Sequence, residues 1–158
     1  MEKYIKKLSI TVALFITMIM LSSCMKKVDV SIDELENELT NVINKDRMQK
    51  GDNKSLRRYF GINANEIEDY ILYIPKSNMD VDELLIVKVK DISQIDTIDE
   101  IIESRISTQI QNFSGYGVEQ TKLLEDYEIN IKDKYIFYTV CENAQELEDS
   151  YKDILKNK

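Results

Sequence analysis

Few side chains in this sequence are placed to do chemistry. Asp80-Val81-Asp82-Glu83 packs three carboxylates into four residues, and oxygen ligands gathered on a loop are what calcium requires. The spacing does not fit an EF-hand, with no glycine at the turn position and no glutamate at the twelfth. Entry into a strand would also turn alternating side chains apart, so a solvated loop is the plainer reading. Arg105, Gln109 and Asn112 stand at i, i+4 and i+7 and share a helix face. With Tyr116, set between Gly115 and Gly117, Arg105 and Gln109 form a candidate recognition surface. The same residues would also serve as the wet side of an amphipathic helix.

Nucleophilic catalysis finds little support. There is no histidine, which excludes Cys/His and Ser/His/Asp arrangements. Cys141 ends the apolar run Tyr135 to Val140, where a cysteine usually acts as a small buried filler. No phosphate-binding glycine loop, zinc pattern or nucleophile elbow occurs. The acids are spread along the chain, and no pair stands out for acid–base work. The expectation is a protein that is not an enzyme, with no cofactor and no metal.

Ser31, with Glu34 three residues on, predicts a capped helix from Ile32 to about Arg47, with Ile32, Leu35, Leu39, Val42 and Ile43 on one face. Leu56 to Phe60 is a short helical turn stopped by Gly61. Asn63 and Glu66 frame a second turn. Tyr70 to Ile74 reads as a strand ended by Pro75, and Leu84 to Lys90 as another. A cap at Ser93 opens a long helix to Phe113, striped by Ile95, Ile98, Ile102 and Ile106. Glu128 to Lys132 alternates as a half-exposed edge strand. Asp133-Lys134 is a turn, and Tyr135 to Val140 is apolar on both faces and central. Asn143 caps a final helix carrying Leu147, Tyr151, Ile154 and Leu155. The order α-ββα-ββα predicts an α+β fold: two layers, with a four-stranded, mainly antiparallel sheet and helices on one face.

The N-terminus has a separate logic. Lys3, Lys6 and Lys7 precede an apolar run from Leu8 to Leu21, and Leu21-Ser22-Ser23-Cys24 follows. A charged start, apolar middle and small-residue exit make a secretory signal peptide. The cysteine makes it a lipoprotein signal: residues 1–23 are removed and Cys24 carries a diacylglyceryl lipid. The uncharged stretch of 18 residues sits at the lower limit, ~18 residues, for a spanning helix, but a retained anchor leaves Cys24 unexplained. Residues 24–30 are then a spacer and 31–158 a single domain.

The mature chain would hold 18 basic and 28 acidic residues, a net charge of −10. That field repels nucleic acid and anionic headgroups, so lipid must supply attachment to the membrane. The features Leu56-Arg57-Arg58-Tyr59-Phe60-Gly61-Ile62, Tyr70 to Tyr73, Asn78 to Glu83 leading into Leu84 to Lys90, then Arg105, Gln109 and Tyr116, occur in that order behind the lipobox. This order resembles the bacterial lipoproteins grouped as domain of unknown function 4358, across nearly all of the mature chain. The resemblance implies a lipid-anchored envelope protein and supplies no activity or catalytic residue. The functional expectation is an interaction module on the outer face of the cytoplasmic membrane with an envelope protein as partner. The alternative is a one-domain solute-binding lipoprotein serving a transporter.

Overall fold

The computed structural model describes residues 28–157; the signal segment and Cys24 lie outside the described residues. Helix α1 runs Ile32–Leu39, and the Ser31 hydroxyl accepts from the Glu34 N–H at 3.2 Å as the cap pattern predicts. It ends well before Arg47. The Asn44 side-chain oxygen accepts from the Asp46 N–H at 3.1 Å, a local turn that competes with helical bonding. The chain is thereby freed to form β1, Met48–Lys50. Three residues with one apolar member show no period, so this strand is invisible to pattern reading.

Helix α2, Asn53–Phe60, is capped by Asp52 and stopped by Gly61 at φ 71°, a conformation open to glycine without strain. Strands β2 (Asp69–Pro75) and β3 (Glu83–Lys88) form the first hairpin. Helix α3, Ile95–Phe113, follows a single turn at Ile92–Gln94 whose capping box uses Asp91 and Gln94, two residues ahead of the predicted Ser93 cap. Helix α4 is Val118–Glu125. Strands β4 (Glu128–Lys132) and β5 (Tyr135–Val140) form the second hairpin. Helix α5, Ala144–Lys156, closes the chain. Asn143 stands at its N-cap, but its amide donates to the Val42 carbonyl at 3.0 Å, binding α5 to the turn after α1.

All neighbouring strands are antiparallel, in the order β1-β2-β3-β5-β4. The α+β class holds, while the four-stranded, two-layer expectation is corrected to five strands with helices on both faces. Every residue of β3 and β5 is buried, unlike antiparallel strands with one wet face. Leu84, Ile86 and Phe137 pack with α1 and α5. Leu85, Val87, Ile136 and Tyr138 pack with α2, α3 and α4. The physical reason lies at the sheet centre. Strands β3 and β5 present apolar side chains to both faces, so each face needs a helical cover, and α3 and α5 settle on opposite faces.

Two residues of the predicted spacer take part in the core. Val28 and Val30 are 8% and 1% exposed and belong to the core under α1 and α5.

Candidate functional site

On the second face, α2, α3 and the loop from 76 to 82 enclose an open cleft of about 320 Å³. Arg105, Gln109, Asn112 and Tyr116 all line it, with Arg58, Tyr59, Asn78 and Asp80 opposite. Helical spacing places the first three on one wall, and the turn after Phe113 sets Tyr116 at the mouth. Tyr116 is 66% exposed and packs against Phe113 at 5.8 Å between ring centroids. A second hollow of about 540 Å³ continues along α3 toward Thr97 and shares Arg58, Tyr59 and Arg105.

The four sequence-chosen residues have different surroundings. Arg105 is not a free cation. Its Nε and Nη2 donate to the two Glu83 carboxylate oxygens at 3.3 and 3.0 Å. Its guanidinium also lies 5.0 Å from the Tyr59 ring centre and 5.8 Å from that of Phe60. Gln109 is mostly buried, while Asn112 and Tyr116 face solvent.

Glu83 is fully buried at the strand entry. Besides Arg105 it accepts from the Tyr138 hydroxyl at 2.7 Å, and its backbone carbonyl accepts from Thr139 at 2.9 Å. Burial first, and the Glu83 charge second, push the Tyr138 phenol well above its ordinary value. A bidentate arginine plus a hydroxyl satisfies the buried carboxylate, which would otherwise be strongly disfavoured.

The neighbouring acids are held by a second arginine. Arg47 donates through Nε and Nη2 to Asp82 at 2.9 and 2.8 Å and through Nη2 to Asp80 at 3.1 Å. Between Asp82 and Glu83 the pleat reverses direction, so each finds a different arginine. The acidic run is therefore an ion-paired strand entry rather than a solvated loop. Among the described residues no group of three or more Cys, Asp or Glu side chains could hold a metal.

Cys141 is buried at the end of β5, away from the cleft. Burial pushes its thiol up, against hydrogen bonds from Thr139 and the Asn143 backbone, the opposite of what a nucleophile needs.

Sequence reading missed Arg47, Arg58 and Tyr59. The signal for the last two was present: Arg57-Arg58-Tyr59-Phe60-Gly61 is a basic-aromatic helix end, and its exposed face closes the cleft. Arg47 was absorbed into an overlong helix. Met79, next to Asn78 in the loop, is 60% exposed and Val118, at the start of α4, is 81% exposed, and Gln120 of α4 holds the Met79 carbonyl at 3.1 Å.

Fold and cleft together define a small α+β domain whose antiparallel sheet is covered on both faces and whose α2/α3 side carries an open, polar, aromatic-edged groove. The model of the family described as a domain of unknown function, DUF4358, matches residues 41–141, and the chain belongs to that family. The matched stretch holds all five strands and the cleft but leaves out α1 and α5, so it is shorter than the resemblance implied. No curated protein and no solved structure matches the chain.

Proposed function

We propose that this chain is a lipid-anchored, non-catalytic interaction module on the outer face of the cytoplasmic membrane, tethered through Cys24, with the α2/α3 cleft as its contact surface for an envelope protein. The observation that carries the reading is the cleft mouth. Tyr116 is 66% exposed in the cleft lining beside the polar Asn78 and Asn112, and Met79, 60% exposed, follows Asn78 in the same loop, in a chain of net charge −8. Exposed aromatic and methionine side chains beside polar groups are the composition of protein contact surfaces. Arg105 of the cleft wall is paired to the buried Glu83, and Asp80 to Arg47, which leaves them poor acid–base candidates. Among the described residues no helix is long and apolar enough to cross a membrane.

A solute-binding role is the second reading, favoured by one observation: about 320 Å³ lies within the ~300–1,000 Å³ range of small-molecule pockets. The openness of the cleft favours a protein surface over an enclosed solute.

The test is a photo-crosslinking residue placed at Tyr116, and at Asn37 on the opposite face, in cells carrying the lipidated protein. One stoichiometric adduct from position 116, absent from 37 and lost with Arg58→Ala, supports the module. Equal adducts from both faces refute it. Cys24→Ala should leave an unprocessed precursor; normal processing of that variant contradicts the anchor.

A further inference from the structure

The chain enters the domain at a fixed point. Val30 is held by both backbone groups: its N–H donates to the Tyr135 hydroxyl at 2.8 Å, and that hydroxyl donates to its carbonyl at 2.6 Å. Asp29 accepts from the Lys88 ammonium at 2.8 Å. Tyr135 opens β5 and Lys88 closes β3, and the two are register partners. The entry point therefore lies at one end of the sheet. The cleft mouth lies at the other, where Pro75 ends β2 and Glu83 begins β3.

Length then limits orientation. Four residue steps separate Cys24 from Val28, and even a fully extended chain covers only about 14 Å in four steps. The six residues of β3 span about 20 Å. A lipid on Cys24 can bring the entry end to the bilayer, but the domain cannot turn over to bring the cleft mouth there.

The entry end also has a surface suited to that position. Ile92 is 60% exposed on the loop after β3. The Val89 N–H donates to the Lys134 carbonyl at 2.9 Å, and the Lys134 ammonium to the Lys90 carbonyl at 2.6 Å. These bonds join the loop carrying Ile92 and the β4–β5 turn into one surface. Glu68, at the same end, is paired with Lys88 at 2.9 Å and with Lys134 at 3.8 Å, so its charge is compensated there.

We propose that this end of the sheet rests on the lipid bilayer, with Ile92 in the headgroup region and the α2/α3 cleft directed away from the membrane. The inference rests on lipidation of Cys24. It adds that the cleft's partner is met outside the membrane, in the extracytoplasmic space, and not within the bilayer plane. An isolated exposed isoleucine contributes little binding by itself; anchored at this distance, it sets which surface lies down.

The test uses the full-length lipidated protein in phosphatidylcholine vesicles bearing a short-range headgroup quencher. A fluorophore is placed on Ser93→Cys or on Asn78→Cys; Cys141, 4% exposed, is shielded from labelling. Quenching at 93 is expected to exceed that at 78 about threefold, given the ~20 Å between the two sheet ends. Ile92→Glu should weaken the signal at 93. Equal quenching at both sites, or stronger quenching at 78, overturns the orientation. An unchanged signal at 93 in Ile92→Glu overturns the contact assigned to Ile92. Intact mass of the membrane-extracted protein separates the two ideas. A diacylglyceryl mass with equal quenching sinks the orientation alone, and absence of the lipid removes the anchor and the orientation with it.

Discussion

Three buried tyrosines make one experiment, because their hydroxyls have three different fates. The perturbation is Tyr→Phe at 135, 138 and 151, each fully buried. The Tyr135 hydroxyl both donates to and accepts from the Val30 backbone. Removing it leaves a buried donor and a buried acceptor unpaired, at about 1–3 kcal/mol for each unsatisfied group; some will be recovered by fraying of the segment toward water, so about 2–3 kcal/mol is expected in total. The Tyr138 hydroxyl donates to the Glu83 carboxylate at 2.7 Å. Arg105 still satisfies that carboxylate, so the loss is one charge-assisted bond, about 1.5–3 kcal/mol.

Tyr151 differs. Among the described residues its hydroxyl is the buried side-chain polar atom without a hydrogen-bond partner, while its ring stacks on Phe137 at 4.7 Å. Phenylalanine keeps the stack and removes a desolvated hydroxyl, so Tyr151→Phe should be neutral or stabilise by up to about 2 kcal/mol. The assay is urea denaturation with the slope held common, checked by thermal melting, where each kcal/mol moves Tm by roughly 3–5 °C for a domain of this size. A loss of about 1 kcal/mol or more at 151 would show that its hydroxyl is bonded, to water or protein, and would refute the reasoning.

Other outcomes follow from the same contacts. Arg47→Leu strands Asp82, which is 1% exposed; the cost should be about 2–3 kcal/mol, below that of a fully buried pair because the Arg47 side chain is partly solvated. Arg47→Leu/Asp82→Asn should recover most of it in chemical denaturation. Gly51→Ala would put a methyl 2.6 Å from Leu72 Cδ2, and overpacking of about 1–3 kcal/mol should lower the melting temperature. At alkaline pH, burial first, and the hydrogen bond to Glu36 second, push Tyr73 up to about 12. Its folded value exceeds the unfolded value of ~10, so its contribution to stability is complete below about pH 10 and is lost as pH rises toward 12. Phenolate absorbance should show a class of tyrosines that ionises only together with unfolding.

Most of the fold was legible because its signals were periodic. The stripe Ile98, Ile102, Ile106 of α3 and the edge position of β4 appear where they were expected, but the burial of β4 does not alternate: Ile131 is its exposed residue. The faces were harder. Leu84 to Val87 is an unbroken apolar run and Tyr135 to Val140 is interrupted only by Thr139, and such runs mean burial on both sides; taken at that value, they call for helices on both faces. The Asn143 cap failed because an amide can bond across the fold as well as to its own helix, and tertiary partners have no sequence spacing. The same holds for the cleft. Arg105, Gln109 and Tyr116 could be grouped from one helix and its exit, but Arg58, Tyr59 and Asn78 come from other elements. The pairing of Glu83 with Arg105 across 22 positions depends on how α3 lies over the sheet.

The clasp between Val30 and Tyr135 has a mechanical meaning. The two residues are 105 positions apart, so the clasp can close only after nearly the whole chain has been made. Once closed, tension applied at the N-terminus reaches a side chain at the start of β5 before it reaches α1. Strand β5 has β3 on one side and β4 on the other, so the load enters at an inner strand instead of unzipping an edge. A pull on the tether therefore loads the two hydrogen bonds of the Tyr135 hydroxyl in series with the sheet, and they must give way before α1 takes the strain.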